Sequence, residues 1–113
     1  MVLFIGPLFS GKHAAANAYA EAAGTQLSDL RVCEDATRFL QEGNGSPEDL
    51  RQIATDLAEK YDIVLCTEVG SGLVPVDEGE RAARESAGRL SILLAGQADE
   101  VYRVVAGIAK KLK

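Results

Sequence analysis

Residues 6–13 of this chain read Gly6-Pro7-Leu8-Phe9-Ser10-Gly11-Lys12-His13. The spacing Gly-x-x-x-x-Gly-Lys is that of a phosphate-binding loop. Glycines let successive backbone amides curl around an anion. A helix starting at the end of the loop adds free N–H groups and partial positive charge. Lys12 adds a point charge for terminal phosphates. Two residues depart from the pattern. Pro7 has no N–H, so one amide is missing from the cradle. His13 stands where a Ser or Thr hydroxyl would reach Mg²⁺, but imidazole suits softer metals and Mg²⁺ prefers oxygen. The loop is therefore expected to bind phosphate while holding Mg²⁺ poorly, or only through water. On spacing alone the competing reading is a tight strand–helix turn with an exposed lysine. His13 is the sole histidine, and it is expected to face solvent in the first helical turn.

Glu68 is the second residue placed for chemistry. It follows the apolar run Ile63-Val64-Leu65-Cys66 by one residue. Open α/β sheets bind ligands outside the carboxyl ends of their strands. A carboxylate there can accept a substrate proton or order a metal-bound water. A plain loop residue or helix cap is the alternative. Cys33 and Cys66 are too few and too far apart for a metal framework. Each reads as a small, reduced apolar residue near a strand, and no metal-ligand set is expected.

These groups need strands and helices to hold them. Val2-Leu3-Phe4-Ile5 reads as a strand covered on both faces. Residues 12–23, rich in Ala, read as a helix that packs closely on a sheet and stops at Gly24. Leu30 to Cys33 suggests a short strand, and Glu34 to Glu42 a short helix with Ala36, Phe39 and Leu40 on one side. Gly43-Asn44-Gly45 breaks it. Ser46 caps the next helix, with Pro47 in its first turn. Leu50, Ile53, Ala54, Leu57 and Ala58 form that helix's apolar stripe. Residues 62–67 form the second clear strand. Residues 78–96 form a long helix with Ala83, Ala87, Leu90 and Leu94 in its stripe. Residues 101–106 are the last strand. Strands alternating with helices predict an α/β layered fold, with a small, mainly parallel sheet of about three or four strands.

Composition limits the function classes. The chain has 113 residues, 47% hydrophobic and 26% charged, which suits one globular domain spanning 1–113. Lys and Arg number 12 against 17 Asp and Glu, for a net charge of −5. With no Trp, such a chain lacks the basic footprint and stacking platform of a nucleic-acid binder. Lys110, Lys111 and Lys113 are read as a solvated chain end. No apolar run approaches the roughly 20 residues of a membrane span. The first apolar run meets Gly6 too soon for a signal peptide. A cytoplasmic protein is expected.

The C-terminal half carries a more specific pattern. Thr67-Glu68-Val69-Gly70-Ser71-Gly72-Leu73-Val74-Pro75 is followed by Arg81. Next come Ala87-Gly88-Arg89, Leu94-Ala95, Ala98-Asp99-Glu100-Val101 and Val104-Val105-Ala106-Gly107. Over about residues 64–113, and over 2–21 around the loop, the chain resembles the adenosylcobinamide kinase / adenosylcobinamide-phosphate guanylyltransferase family. The resemblance implies a phosphate-loop α/β fold that binds ATP or GTP. It implies phosphorylation of the hydroxyl of a cobinamide-like corrinoid, then GMP transfer through a guanylylated histidine. It places Gly6, Ser10, Gly11 and Lys12 on nucleotide phosphates, with His13 beside them. It puts Glu68, Val69, Gly70, Gly72 and Pro75 in a second active-site loop, with Arg81 and Arg89 as charges or helix anchors. Lys12 and Glu68 are the expected catalytic pair. A homo-oligomer built through sheet edges and the C-terminal part is also implied.

The departures from the family bear on activity. Its Ser/Thr after the lysine is His13, its Arg before Ser-Gly-Lys is Phe9, and its Asn-Gln is Ser91-Ile92. Its middle region is longer, with a His-bearing helix and an acidic strand, and residues 25–61 are expected to be too short for both. No histidine occurs there, so the guanylyltransferase step is expected to be absent. The alternative to a kinase is a non-catalytic nucleotide- or phosphate-binding module with a regulatory role.

Overall fold

The computed structural model describes residues 1–40, 46–68 and 78–113. Strand β1 spans Val2–Gly6 and leads through the loop into helix α1, Lys12–Ala22. The short strand β2, Val32–Cys33, follows. Then come α2 (Pro47–Lys60), β3 (Ile63–Thr67), α3 (Glu78–Gln97), β4 (Glu100–Val105) and β5 (Ile108–Lys111). The five strands make one sheet in the order β2-β3-β1-β4-β5. β1 runs parallel to β3 and β4, β2 parallel to β3, and only β5 is antiparallel. This is the small, mainly parallel layered fold the sequence predicts, with five strands rather than three or four because the chain end adds β5.

The continuous apolar run of β1 has the physical role expected of a central strand. Leu3 and Phe4 are both buried but serve opposite faces. Leu3 packs with Val64, Val101, Leu50 and Leu57 of α2, and Leu90 and Leu94 of α3. Phe4 packs with Leu65, Val104, and Ala16 and Ala20 of α1. The buried faces of α1 are alanines, so its backbone lies close to the sheet and its N-terminus is held near the end of β1. Gly24 ends α1 with φ of 83°, as a C′ glycine does. Ser46 Oγ accepts the Asp49 amide at 3.1 Å, the expected cap of α2.

Several local expectations are corrected. The short helix expected over 34–42 is a single 3-10 turn, Ala36–Phe39, within the described residues. Asp35 caps it, accepting from the Thr37 amide at 3.0 Å and the Thr37 hydroxyl at 2.7 Å. Phe39 is 40% exposed, while Ala36 is buried. Residues 27–29 form another 3-10 turn that the sequence did not signal. Ala83 is exposed, while Ala87, Leu90 and Leu94 make the buried stripe of α3.

The chain end is also not a loose basic tail. Ala106 (φ 51°) and Gly107 (φ 77°) reverse the chain, and β5 pairs back with β4 from Val105↔Ile108 to Tyr102↔Lys111. Two successive positive φ values match the right-handed twist of the flanking strands. Lys111 pairs with Glu100 at 3.2 Å, and Lys113 Nζ donates to the Ala95 carbonyl at 3.1 Å. Among the described residues, no helix is long and apolar enough to cross a membrane.

Candidate functional site

The parallel register brings the two candidate segments together. Gly6 ends β1 beside Thr67 of β3. The next amide, that of Glu68, donates to the Gly6 carbonyl at 2.7 Å. The phosphate loop and Glu68 therefore share one edge of the sheet, the carboxyl edge of its parallel strands.

The loop closes tightly between strand and helix. The Ser10 amide donates to the Pro7 carbonyl at 3.2 Å. Phe9 takes φ of 61°, a conformation rare for a bulky side chain, and its ring is 95% exposed. Gly11 takes φ of 93° at the start of α1, which glycine adopts without steric cost. Gly6 is required for a different reason. A Cβ there would lie 2.3 Å from the Val104 carbonyl oxygen and 2.7 Å from Ser10 Oγ. The Ser10 side chain is buried, and among the described residues its Oγ has no hydrogen-bond partner. Buried hydroxyls are nearly always satisfied, so an orphaned one beside a glycine loop is a group waiting for an acceptor or donor.

Lys12 is drawn into the loop rather than exposed. Its Nζ donates to the carbonyls of Gly6 (3.1 Å) and Pro7 (2.9 Å). Burial pulls its pKa below the usual lysine value, opposed by the nearby Asp35, Cys66 and Glu68. Asp35 was not singled out in the sequence. It follows β2, and with Glu68 it sets the electrostatic surroundings of Lys12. An acidic residue after a strand is thus present in the middle region. Arg103 was missed as well. Its Nη2 donates to Glu68 Oε2 at 3.1 Å. No local motif marks either residue.

His13 is solvent-facing as expected, with its Nε2 3.9 Å from Glu34 Oε1. Arg81 and Arg89 lie exposed on α3. Val69, Gly70, Gly72 and Pro75 fall outside the described residues. Beside α1 runs a groove of about 730 Å³, reached from His13 and flanked by Asn17, Glu21, Gln26 and Glu34. Among the described residues, no three His, Cys, Asp or Glu side chains are grouped to hold a metal ion.

A parallel sheet with a glycine-and-lysine loop between its central strand and first helix defines a phosphate-loop α/β protein. The family model described as cobinamide kinase / cobinamide phosphate guanyltransferase matches residues 32–112, and the chain belongs to that family. The matched span includes β2 and Asp35, which the resemblance had set aside, and begins after the phosphate loop. The bifunctional adenosylcobalamin biosynthesis protein CobU of Salmonella typhimurium is 45% identical over 51 residues. Its Escherichia coli counterpart is 43% identical over 51 residues. Each match covers 45% of this chain and 28% of the relative.

Proposed function

We propose that this chain binds the phosphates of ATP or GTP on residues 6–13 and transfers the terminal phosphoryl group to the hydroxyl of a cobinamide-like corrinoid. The observation that carries this reading is the orphaned Ser10 Oγ, buried beside Gly6 in the loop that holds Lys12. Family membership supplies the acceptor class. In this reading Gly6, Ser10 and Gly11 cradle phosphate oxygens. Lys12 leaves the carbonyls of Gly6 and Pro7 to neutralise developing charge. Glu68 accepts the proton of the acceptor hydroxyl or orients a metal-bound water. Val69, Gly70, Gly72 and Pro75 complete the second loop. A Mg²⁺ carried in with the nucleotide would be held mainly by phosphate oxygens and water, with Asp35 and Glu68 as the nearby carboxylates and His13 contributing no oxygen.

The groove beside α1 suits the acceptor better than the nucleotide. Glu21 and Glu34 line it, and among the described residues no Lys or Arg does. The guanylyl transfer of the full family reaction is absent in this reading, because the sole histidine is His13. Cytoplasmic location and a homo-oligomer joined through the sheet edges belong to the same proposal.

Transfer of radiolabel from γ-labelled ATP or GTP to adenosylcobinamide tests it. Product that disappears in Lys12→Ala and falls to a small but measurable residual level in Glu68→Gln supports the kinase. Label from α-labelled GTP on the protein would contradict the missing guanylyl step. One observation favours a non-catalytic binding module instead: Lys12 Nζ is already satisfied by two loop carbonyls. That reading predicts nucleotide binding without Mg²⁺ and indifference to Glu68→Gln.

A further inference from the structure

Arg103 and Glu68 join two strands that are not neighbours. Arg103 sits on β4 opposite Ile5 of β1, and Glu68 follows β3 on the far side of β1. The guanidinium spans the central strand at the carboxyl edge to reach Glu68 Oε2 at 3.1 Å. Glu68 is already fixed at its backbone by the 2.7 Å hydrogen bond to Gly6. What remains free is the side chain, and Arg103 restricts it.

The ion pairs Met1–Asp99, Arg31–Asp62 and Lys111–Glu100 lie at the opposite edge, where β3 and β4 begin. There they tie chain segments together away from the loop. The Arg103–Glu68 pair lies at the edge that carries the loop. Its side chains are 50% and 28% exposed, and pairs of that exposure add little to stability. Its strand position is also an unfavourable one for a cation. The β4–β5 register sets Arg103 directly across from Lys110, and like charges in that relation destabilise an antiparallel pair. Folding alone does not account for an arginine there.

We propose that Arg103 is a positioning residue that holds the Glu68 carboxylate in place at the mouth of the phosphate loop. This rests on the reading of Glu68 as the group that meets the acceptor hydroxyl or the metal-bound water. In this role Arg103 acts through Glu68 rather than on the acceptor or the phosphates. Its bond engages one carboxylate oxygen, Oε2, and leaves Oε1 outside that bond.

Arg103→Met and Arg103→Lys, each made alone and with Glu68→Gln, test this through two readouts. The first needs no turnover. Side-chain carboxyl carbon NMR of Glu68 should show a shifted, motionally averaged resonance in Arg103→Met and an intermediate one in Arg103→Lys. An unchanged Glu68 resonance in Arg103→Met overturns the proposal. The second is kinetic. Arg103→Met should lower kcat for phosphoryl transfer about tenfold or more, the scale of a misplaced catalytic group, with nucleotide Kd within about twofold. Arg103→Lys should recover part of it, and Glu68→Gln should abolish any further effect of Arg103→Met. Equal losses in both backgrounds, or a weakened nucleotide Kd with kcat unchanged, overturn it. A wild-type chain that binds nucleotide but transfers nothing would refute the kinase reading instead, and the carboxyl resonance would still decide the role of Arg103.

Discussion

The amide of Gly107 donates to the carbonyl of Ser10 at 2.8 Å, so the last hairpin is bonded directly to the phosphate loop. The approach is close: a Cβ on Gly11 would lie 3.2 Å from Gly107 Cα. The turn between β4 and β5 thus braces the loop from the side of β4, while the Glu68 amide braces Gly6 from the side of β3. The loop is held between two backbone contacts from distant parts of the chain.

This arrangement ranks the glycines. At Gly6 a methyl group would run into the Val104 carbonyl, which is backbone and cannot swing aside. Gly6→Ala should destabilise the fold by about 3 kcal/mol, as overpacking does. At Gly107 a Cβ meets nothing within 4 Å, so only the φ of 77° opposes it. Gly107→Ala should cost about 1 kcal/mol. Urea unfolding of the two variants checks the order, and equal costs would contradict the close approach at Gly6.

Alkaline stability should depend on Tyr19. Its hydroxyl donates to a Glu100 carboxylate oxygen, while Tyr102 reaches the other oxygen at 3.1 Å. The hydrogen bond to Glu100, with burial and the Glu100 charge, pushes the Tyr19 pKa up to about 12. The unfolded value is about 10. The raised folded value means that this contribution is complete below pH about 10 and is lost as pH rises towards 12. Thermal unfolding from pH 9 to 12 should show the fall, and Tyr19→Phe should flatten it. Glu100 works in the opposite direction. The same hydrogen bond from Tyr19 holds its carboxyl below the usual range, so its contribution is lost in acid.

The cysteines should be inert in the native protein. Burial pushes the Cys66 thiol up to about 12 and raises that of Cys33 as well. The thiolate is the reactive form. A maleimide at neutral pH should label neither until denaturant is added. Rapid native labelling of Cys66 would contradict its burial in the core.

Much of the site was legible in the sequence because its chemistry is local. The loop spacing, the Ala-rich helix after it, and the Ser46 cap each use signals a few residues long. The adjacency of Glu68 to the loop followed from one rule about the carboxyl ends of parallel strands. What was not legible depends on pairing between distant segments. Arg103 gains its meaning only from the strand order, which puts β1 between it and Glu68. Asp35 follows a short strand that the sequence does suggest, but no motif of its own marks it. β5 is exposed at every position, so it carries no alternation of apolar and polar residues. Its turn, Ala106-Gly107, uses alanine where Asn or Asp would have announced a hairpin.

The account stands on a working phosphate loop. The most direct measurement is titration calorimetry of the purified chain with GTP and ATP, with and without Mg²⁺, beside Lys12→Ala. The account predicts micromolar binding of at least one nucleotide that is lost in Lys12→Ala while the variant stays folded. No heat at millimolar nucleotide, or binding that Lys12→Ala leaves intact, would contradict it.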